Sequence, residues 1–335
     1  MVNIGQIGVG AWGRNLLRDF SRVPGCRVTA CCDQNPQVRQ GLEGEDVSRR
    51  ITDDPGRLMA ASDVDAVVIA TLPGTHYQLA AQALEADKDV FVEKPLVLDL
   101  ADGERLVELA ERKGRILMVG HLMEYHPAVL SLKARIDSGE LGGLYYAYSV
   151  RVNLGKVRSE ENALWSFAPH DISMILYLFG QVPTQVTCTG QDYLRKGVED
   201  VAFLTMRFEG GAVAHIHVSW LDPHKIRRLT VVGDKKMAVF DDMTPGEMIR
   251  IYDKGVEQHL DYETYGDSLS LRTGDILIPN VKMSEPLKLE CAHFVECVRD
   301  RKTPRSDGRD GLRVVRVLQA AQRSMERQGA PEDIS

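Results

Sequence analysis

The chain has 335 residues, a formal charge of −7 and an ordinary globular balance of 44% hydrophobic and 27% charged residues. That length exceeds what one core usually supports, so two domains are expected, and the acid excess without any dense Lys/Arg run speaks against nucleic acid as a partner. No apolar run reaches the length of a membrane span and the first residues enter a strand directly, so a cytoplasmic protein without a signal peptide or membrane partner is expected.

Val2–Val9 is a short apolar run that fits a buried parallel strand. It leads into Gly8, Gly10 and Gly13, spaced G-x-G-x-x-G, after which Leu16, Leu17 and Phe20 recur at helical spacing. Gly8 allows a tight turn and Gly10 lets the backbone approach a pyrophosphate. Gly13 lets the new helix lie close to the sheet with its N–H groups aimed at the phosphates. A second apolar run, Cys26–Cys32, ends in Asp33, twenty residues after Gly13, where a carboxylate binds a ribose 2′-hydroxyl. A glycine-rich turn beside a solvated aspartate is the competing reading. The strand, turn, helix and strand in succession favour a dinucleotide site, with Ala11 and Trp12 of the turn among its contacts. A carboxylate at position 33 repels a 2′-phosphate, and Gln34-Asn35-Pro36 offers no arginine to hold one. NAD is therefore expected over NADP, with Arg39 the one nearby residue that works against it.

Further on, Pro36–Arg50 reads as a short polar helix with a loop, and Thr52–Pro55 as a helix N-cap with proline in the first turn. Val64–Ala70, Val90–Val92 and Ile116–Val119 are further strands, and Tyr77–Ala86 and Leu100–Lys113 are helices. This alternation predicts an α/β Rossmann dinucleotide-binding domain over residues 1–123, a doubly wound parallel sheet covered on both faces. Its ligand crevice lies beyond the strand C-termini. The loops there carry Thr71, Leu72, Pro73 and His76, then Glu93 and Lys94 before Pro95, then His121, all candidates for cofactor contact. His76 has a second reading as the cap of the helix that follows it.

From about residue 124 the pattern changes. A helix over Tyr125–Ile136 precedes strands at Leu144–Val152, Val186–Thr189, Val201–Phe208, Ala212–Ser219, Ile226–Val232 and Met237–Asp241. One apolar helix, Ile172–Leu178, interrupts them. Short turns predict an α+β domain over 124–285 with an open, mostly antiparallel sheet and helices on one face. Residues 261–283 read as a long loop. Residues 286–335, with helices Leu287–Arg299 and Gly308–Gln328, are expected to pack back on the first domain.

Few residues carry chemistry on their own. The six cysteines match no metal-ligand spacing and read as reduced structural thiols. His215 and His217 share one face of a strand without a nearby carboxylate, so no metal is expected. Pro95 biases Lys94 toward an extended backbone, which holds a long cationic side chain at a strand end; a merely solvated lysine is the alternative. His170 follows Pro169 at an expected helix start, where the helix dipole disfavours the imidazolium and leaves a neutral ring able to accept a proton. Asp171 reads as the cap of that helix, and Tyr125 stands between His121 and His126 at the mouth of the crevice.

Taken together, GVGAWG at 8–13, Asp33, EKP at 93–95, GHLMEYHP at 120–127 and WSFAPHDI at 165–172 resemble one family over essentially the whole chain. It is the glucose–fructose oxidoreductase/inositol dehydrogenase/rhizopine-catabolism (Gfo/Idh/MocA) family. The resemblance implies NAD-linked redox chemistry on a sugar or polyol. The family pairs the EKP lysine with the histidine of a D-x-x-x-H pattern, which falls on His170; its first position is Ser166 here, so the usual triad is incomplete. Within the family, residues 161–180 and 217–242 are most similar to nucleotide-sugar 3-dehydrogenases, which oxidise the 3-hydroxyl of UDP-N-acetylglucosamine or its uronate. The resemblance then implies that His170 takes the hydroxyl proton and Lys94 stabilises the alkoxide. Trp165 would shield the nicotinamide, Tyr125 and Ser166 would line the substrate, and Arg158 would meet a diphosphate by its charge. A homodimer or homotetramer through the open sheet is also expected. A free polyol such as inositol is the alternative substrate, and a non-catalytic NAD(H)-binding sensor the alternative of another class.

Overall fold

The computed structural model describes residues 1–43, 49–155, 157–158, 161–258 and 269–334. The chain divides into two units, Met1–Tyr125 with Ser284–Arg316, and His126–Met283 with Val317–Ser335.

In the first unit, strands β1 (Val2–Ile7), β2 (Cys26–Cys32), β3 (Arg50–Thr52), β4 (Ala66–Ile69), β5 (Asp89–Glu93) and β6 (Leu117–Gly120) form an all-parallel sheet. The order is β3-β2-β1-β4-β5-β6. That order reverses direction between β1 and β4, and a ligand crevice belongs at the C-terminal ends of those two strands. Helices α1 (Ala11–Phe20), α2 (Pro36–Glu43), α3 (Pro55–Met59), α4 (His76–Glu85) and α5 (Leu100–Lys113) connect the strands. All four residues of β4 and all five of β5 are buried, which is why both read as unbroken apolar runs. Asp54 caps α3 by accepting from the Arg57 amide, with Pro55 in the first turn as expected. Two readings change. The short helix expected in Pro36–Arg50 is α2, but a short edge strand, β3, follows it that was not expected, because three residues with one apolar side chain carry no period. His76 does not cap α4: it is the helix's first residue, and its ring nitrogens lie 2.8 Å from the Pro95 carbonyl and 3.2 Å from that of Thr71.

The second unit starts at α6 (Pro127–Asp137), which His126 caps by accepting from the Ala128 amide. Its long helix is α7 (Ala163–Phe179). Strands β7 (Leu144–Val152), β8 (Gln185–Gln191), β9 (Val201–Arg207), β10 (Val213–Ser219), β11 (Ile226–Gly233), β12 (Met237–Asp241), β13 (Ile249–Gln258) and β14 (Leu269–Leu277) belong to one sheet. Among the described residues only β7 and β10 pair in parallel in this sheet; the other pairings are antiparallel. β14 corrects the expected long loop at 261–283. It pairs with β13 at the sheet edge and is largely exposed, Leu271 by 83%, so no buried face marks it in the sequence. Residues 261–268 of that expectation lie outside the described ones.

A second correction concerns α7. Its N-cap is Asn162, whose side chain accepts from the Trp165 amide, and Pro169 lies inside the helix. Pro169 marked a helix start in the sequence, but here it is an interior proline. His170 and Asp171 are therefore interior too, so neither the dipole argument for His170 nor the capping role for Asp171 holds. Asp171 instead accepts from Arg151 Nε at 2.5 Å and from Ser149 Oγ at 2.6 Å, which pins α7 to β7.

The C-terminal segment supplies α8 (Pro286–Asp300), α9 (Gly308–Glu326) and β15 (Glu332–Asp333). Phe294 of α8 meets Phe20 and Phe91 edge-on in the first unit's core. β15 adds a ninth strand beside β8 in the second unit.

Candidate active site

The glycine turn between β1 and α1 is shaped by contact. Gly8 has a φ of +86°, and a Cβ there would lie 2.5 Å from the Ala70 carbonyl oxygen. A Cβ on Gly13 would lie 2.3 Å from the Gly8 carbonyl oxygen, so helix and turn approach more closely than any other residue allows. Gly10 differs: nothing lies within 4 Å of where its Cβ would be, which leaves open space over the N-terminus of α1. That is where unpaired first-turn N–H groups hold an anion. Gln6 braces the turn, its Nε2 donating to the carbonyls of Gly8 at 3.0 Å and Gly13 at 2.7 Å. Sequence reasoning missed Gln6; its signal was an amide placed just before the glycine turn in an otherwise largely apolar strand.

Asp33 stands at the end of β2. Its Oδ2 accepts from the Val9 amide at 2.8 Å and its Oδ1 from the Asn35 amide at 2.9 Å, so the carboxylate is held at the turn. Arg39 is directed elsewhere. Its Nη1 donates to the carbonyls of Asp33 and Gln34, and its Nη2 lies 3.5 Å from Asp53. A crevice of about 730 Å³ runs across these elements, lined by Gly8, Gly10, Ala11, Trp12, Gly13, Asp33, Thr71 and Leu72 among others. Its size suits a cofactor. The open space at Gly10, the helix N-terminus and the fixed carboxylate fit a dinucleotide with a free ribose hydroxyl. Pro73, His76, Glu93, Lys94 and His121 do not line it.

Lys94 follows directly on β5, with a cis peptide to Pro95. Its neighbour Glu93 is buried and accepts from Trp12 Nε1 at 2.5 Å and from the Lys94 amide at 3.3 Å. Burial pushes the Glu93 carboxyl above the usual range, against the pull of the Trp12 bond and the Lys94 charge. Behind it, His121 Nδ1 lies 2.8 Å from Asp310 Oδ2 and 3.5 Å from Glu124 Oε1. Burial works against the His121 imidazolium, yet its bonds to Asp310 and Glu124 raise it to about 10. Burial raises Glu124 to about 8, whereas the His121 bond and charge hold Asp310 below its ordinary value. These three residues offer ligand-type atoms within 4.8 Å of one another. Arg313, 2.9 Å from Asp310 Oδ1, and the imidazolium already balance the two carboxyl groups. Tyr125 is 2% exposed, with its hydroxyl 3.0 Å from Ser306 Oγ and Arg305 over its ring. It therefore belongs to the packing of the first unit and does not line the crevice.

The remaining candidates belong to the second unit. Ser166 and His170 are four residues apart on α7 and so share one face of the helix. Trp165 is half-buried in the first turn of α7. Arg158 is half-exposed and pairs with Glu161 at 2.5 Å. His215 and His217 on β10 stack against Phe203.

Residues 2–121 match the oxidoreductase family with an NAD-binding Rossmann fold, and residues 129–239 match the GFO/IDH/MocA C-terminal domain. The chain belongs to this oxidoreductase family. Its first unit is thus the family's NAD-binding domain, and the glycine turn, Asp33 and the strand order are how this member builds it. An inositol 2-dehydrogenase from Saccharopolyspora erythraea is 31% identical over 65% of this chain and 66% of that one, just under two thirds of the relative's length. A scyllo-inositol 2-dehydrogenase (NAD(+)) from Bacillus subtilis is 26% identical over 90% of this chain and 88% of its own. Among solved structures, a UDP-N-acetylglucosamine 3-dehydrogenase from Acidithiobacillus ferrooxidans superposes with a TM-score of 0.80 at 23% identity, covering 97% of this chain and 98% of that one.

Asp33 and the diverted Arg39 lead to a preference for NAD⁺. Calorimetric titration should show NAD⁺ binding at least about tenfold tighter than NADP⁺, since a 2′-phosphate beside a carboxylate loses more than about 1.4 kcal/mol. Equal or tighter binding of NADP⁺ would remove the role given to Asp33.

Proposed function

We propose that this chain is an NAD-dependent dehydrogenase oxidising a secondary hydroxyl of a sugar, at C3 of a UDP-N-acetylhexosamine or its uronate. The observation that carries the reading is the position of Lys94, a cation at the C-terminal end of β5. That strand lies beside β4, and the residues that follow β4, Ala70 to Leu72, line the dinucleotide crevice. Bound NAD⁺ supplies the hydride acceptor. Lys94 stabilises the negative charge developing on the hydroxyl oxygen, and His170 takes the proton as general base. Ser166, on the same face of α7, stands where the family has an aspartate. Its hydroxyl orients the imidazole less strongly than a carboxylate would. Trp165 and Arg158 are assigned to the nicotinamide and to a substrate diphosphate.

The nucleotide-sugar assignment is supported by the residues at 161–180 and 217–242. The 31%-identical inositol 2-dehydrogenase favours a second reading, in which the substrate is a free polyol. A screen of NADH formation separates the two. UDP-N-acetylglucosamine or its uronate should support turnover, with an aminotransferase coupled to draw off the ketone, while N-acetylglucosamine should not. Turnover on inositol alone would replace the nucleotide-sugar reading with the polyol one.

Substitutions test the roles. Lys94→Ala and His170→Ala should each lower kcat by at least about a hundredfold while leaving NAD⁺ affinity unchanged, because the lost interaction is with the transition state. His170→Ala should also flatten the acid limb of the pH–rate profile. Ser166→Ala should cost far less. Near-normal turnover in both Lys94→Ala and His170→Ala would contradict the assignment.

One face of the second unit's sheet carries exposed Tyr146, Tyr148 and Phe203 beside His215 and His217. We assign this aromatic face to self-association as a homodimer or homotetramer. Light scattering should give a mass of two or four chains, falling to one in Phe203→Glu; a monomeric wild type would refute the assignment. The six cysteines form no disulfide with one another, which supports a reducing, cytoplasmic compartment. Among the described residues no helix is long and apolar enough to cross a membrane.

A further inference from the structure

Five titratable side chains of the first unit form a buried acid cluster behind the crevice: Glu93, His121, Glu124, Glu290 of α8 and Asp310 of α9. None of them lines the crevice, but Glu93 bonds a residue that does, Trp12. One carboxyl oxygen takes the indole Nε1–H at 2.5 Å and the other takes the Lys94 amide at 3.3 Å. Gly120 leaves room for it, since a Cβ there would lie 3.1 Å from both oxygens. Burial raises the Glu93 carboxyl, whereas the Trp12 bond and the charges of Lys94 and His121 favour its ionised form. A buried carboxylate is costly. A bond that only braced the turn would not need one, because Gln6 braces the same turn with a neutral amide.

Trp12 is 44% exposed on the crevice wall, so its N–H edge is held while part of the ring stays open. Asp33, at the end of β2, marks the adenosine end of the crevice, and the strand order runs β2-β1-β4-β5 from there. Trp12 reaches the end of β5, which puts it on the nicotinamide half. The nicotinamide ring of NAD⁺ is a pyridinium cation, and that of NADH is neutral. Of the aromatic side chains an indole attracts a cation best, through the negative face of its ring. A carboxylate on its N–H edge polarises the ring and makes that face more negative. Lys94, one residue further on, works the other way, because its charge repels a pyridinium.

We propose that Glu93 and Trp12 form one electrostatic device that shifts this domain's affinity from NADH toward NAD⁺, Trp12 meeting the nicotinamide cation and Glu93 supplying the negative charge behind it. The bias offsets the repulsion from Lys94. It also favours loading of the oxidised cofactor and release of the reduced one, the direction that oxidation of a hydroxyl needs. It goes beyond the sugar assignment and holds whichever hydroxyl reacts.

Calorimetric titration of the substrate-free protein at pH 8.5 gives Kd for NAD⁺ and for NADH in the wild type, Glu93→Gln and Trp12→Phe. Glutamine keeps an acceptor for the indole and removes the charge, so it separates the electrostatic role from a bracing one. In each variant the ratio Kd(NADH)/Kd(NAD⁺) should fall at least about threefold, about 0.7 kcal/mol at 1.4 kcal/mol per tenfold, with the loss on NAD⁺. A ratio that keeps its wild-type value in either variant, including an equal loss of both cofactors, would overturn the proposal. In the double variant the ratio should fall no further than in the larger single one, and additive falls would contradict a single device.

Nitrogen-15 NMR of the cofactor-free protein supplies a readout that needs no ligand. The indole N–H resonance missing from Trp12→Phe should move upfield in Glu93→Gln as its acceptor loses charge, and an unmoved resonance would also overturn the proposal. Should Glu93→Gln fail to fold, fluorotryptophan incorporation replaces it, since fluorine withdraws electron density from the ring and leaves its shape nearly unchanged. Labelling should then lower the ratio in the wild type and not in Trp12→Phe; an equal effect in both, or none, would refute the role of Trp12.

Discussion

The first unit depends on a backbone approach that leaves no space for a side chain. Where β1 turns into α1, the place of a Cβ on Gly13 is taken by the Gly8 carbonyl, and that on Gly8 by the Ala70 carbonyl. Gln6 bonds both turn carbonyls from below, so strand, turn and helix are fixed as one piece. Helix α1 thereby aims its N-terminus over the crevice, and Val9 and Asp33 are joined across its floor. Trp12 projects from the same turn and its bond to Glu93 carries the constraint two strands away, to the residue beside Lys94. Cofactor turn and candidate catalytic lysine are thus mechanically one assembly within this unit.

Much of that assembly was legible because a doubly wound sheet writes itself plainly. Strands buried on both faces appear as unbroken apolar runs, and glycines needed for close approach cannot be replaced without a clash. Other parts left weaker traces. β3 is too short to show a period, and β14 is an exposed edge that shows no buried face. Pro169 stands for a helix start in sequence statistics, yet in α7 it is interior, and this moved His170 and Asp171 away from the positions expected of them. The acid cluster was illegible for another reason. Its members at 93, 121, 124, 290 and 310 come from four separate stretches of the chain, and only the topology brings them together.

Asp171 shows how such a correction changes the physical account. As a cap it would have been a surface device worth about 1 kcal/mol. As the buried partner of Arg151 and Ser149 it locks the helix bearing Ser166 and His170 against β7. Breaking a buried pair of this kind by removing one partner costs about 3–5 kcal/mol. His170 therefore sits inside a helix whose position is set by a charge pair, and not at a helix N-terminus.

The central claim is that the chain moves a hydride from a sugar carbinol to NAD⁺, with protein side chains handling only the proton. Incubating the protein with NAD⁺ and UDP-N-acetylglucosamine deuterated at C3, then weighing the NADH by mass spectrometry, tests this most directly. The account predicts NADH carrying one deuterium and a product ketone that has lost it. Unlabelled NADH, or deuterium washed into solvent, would contradict it.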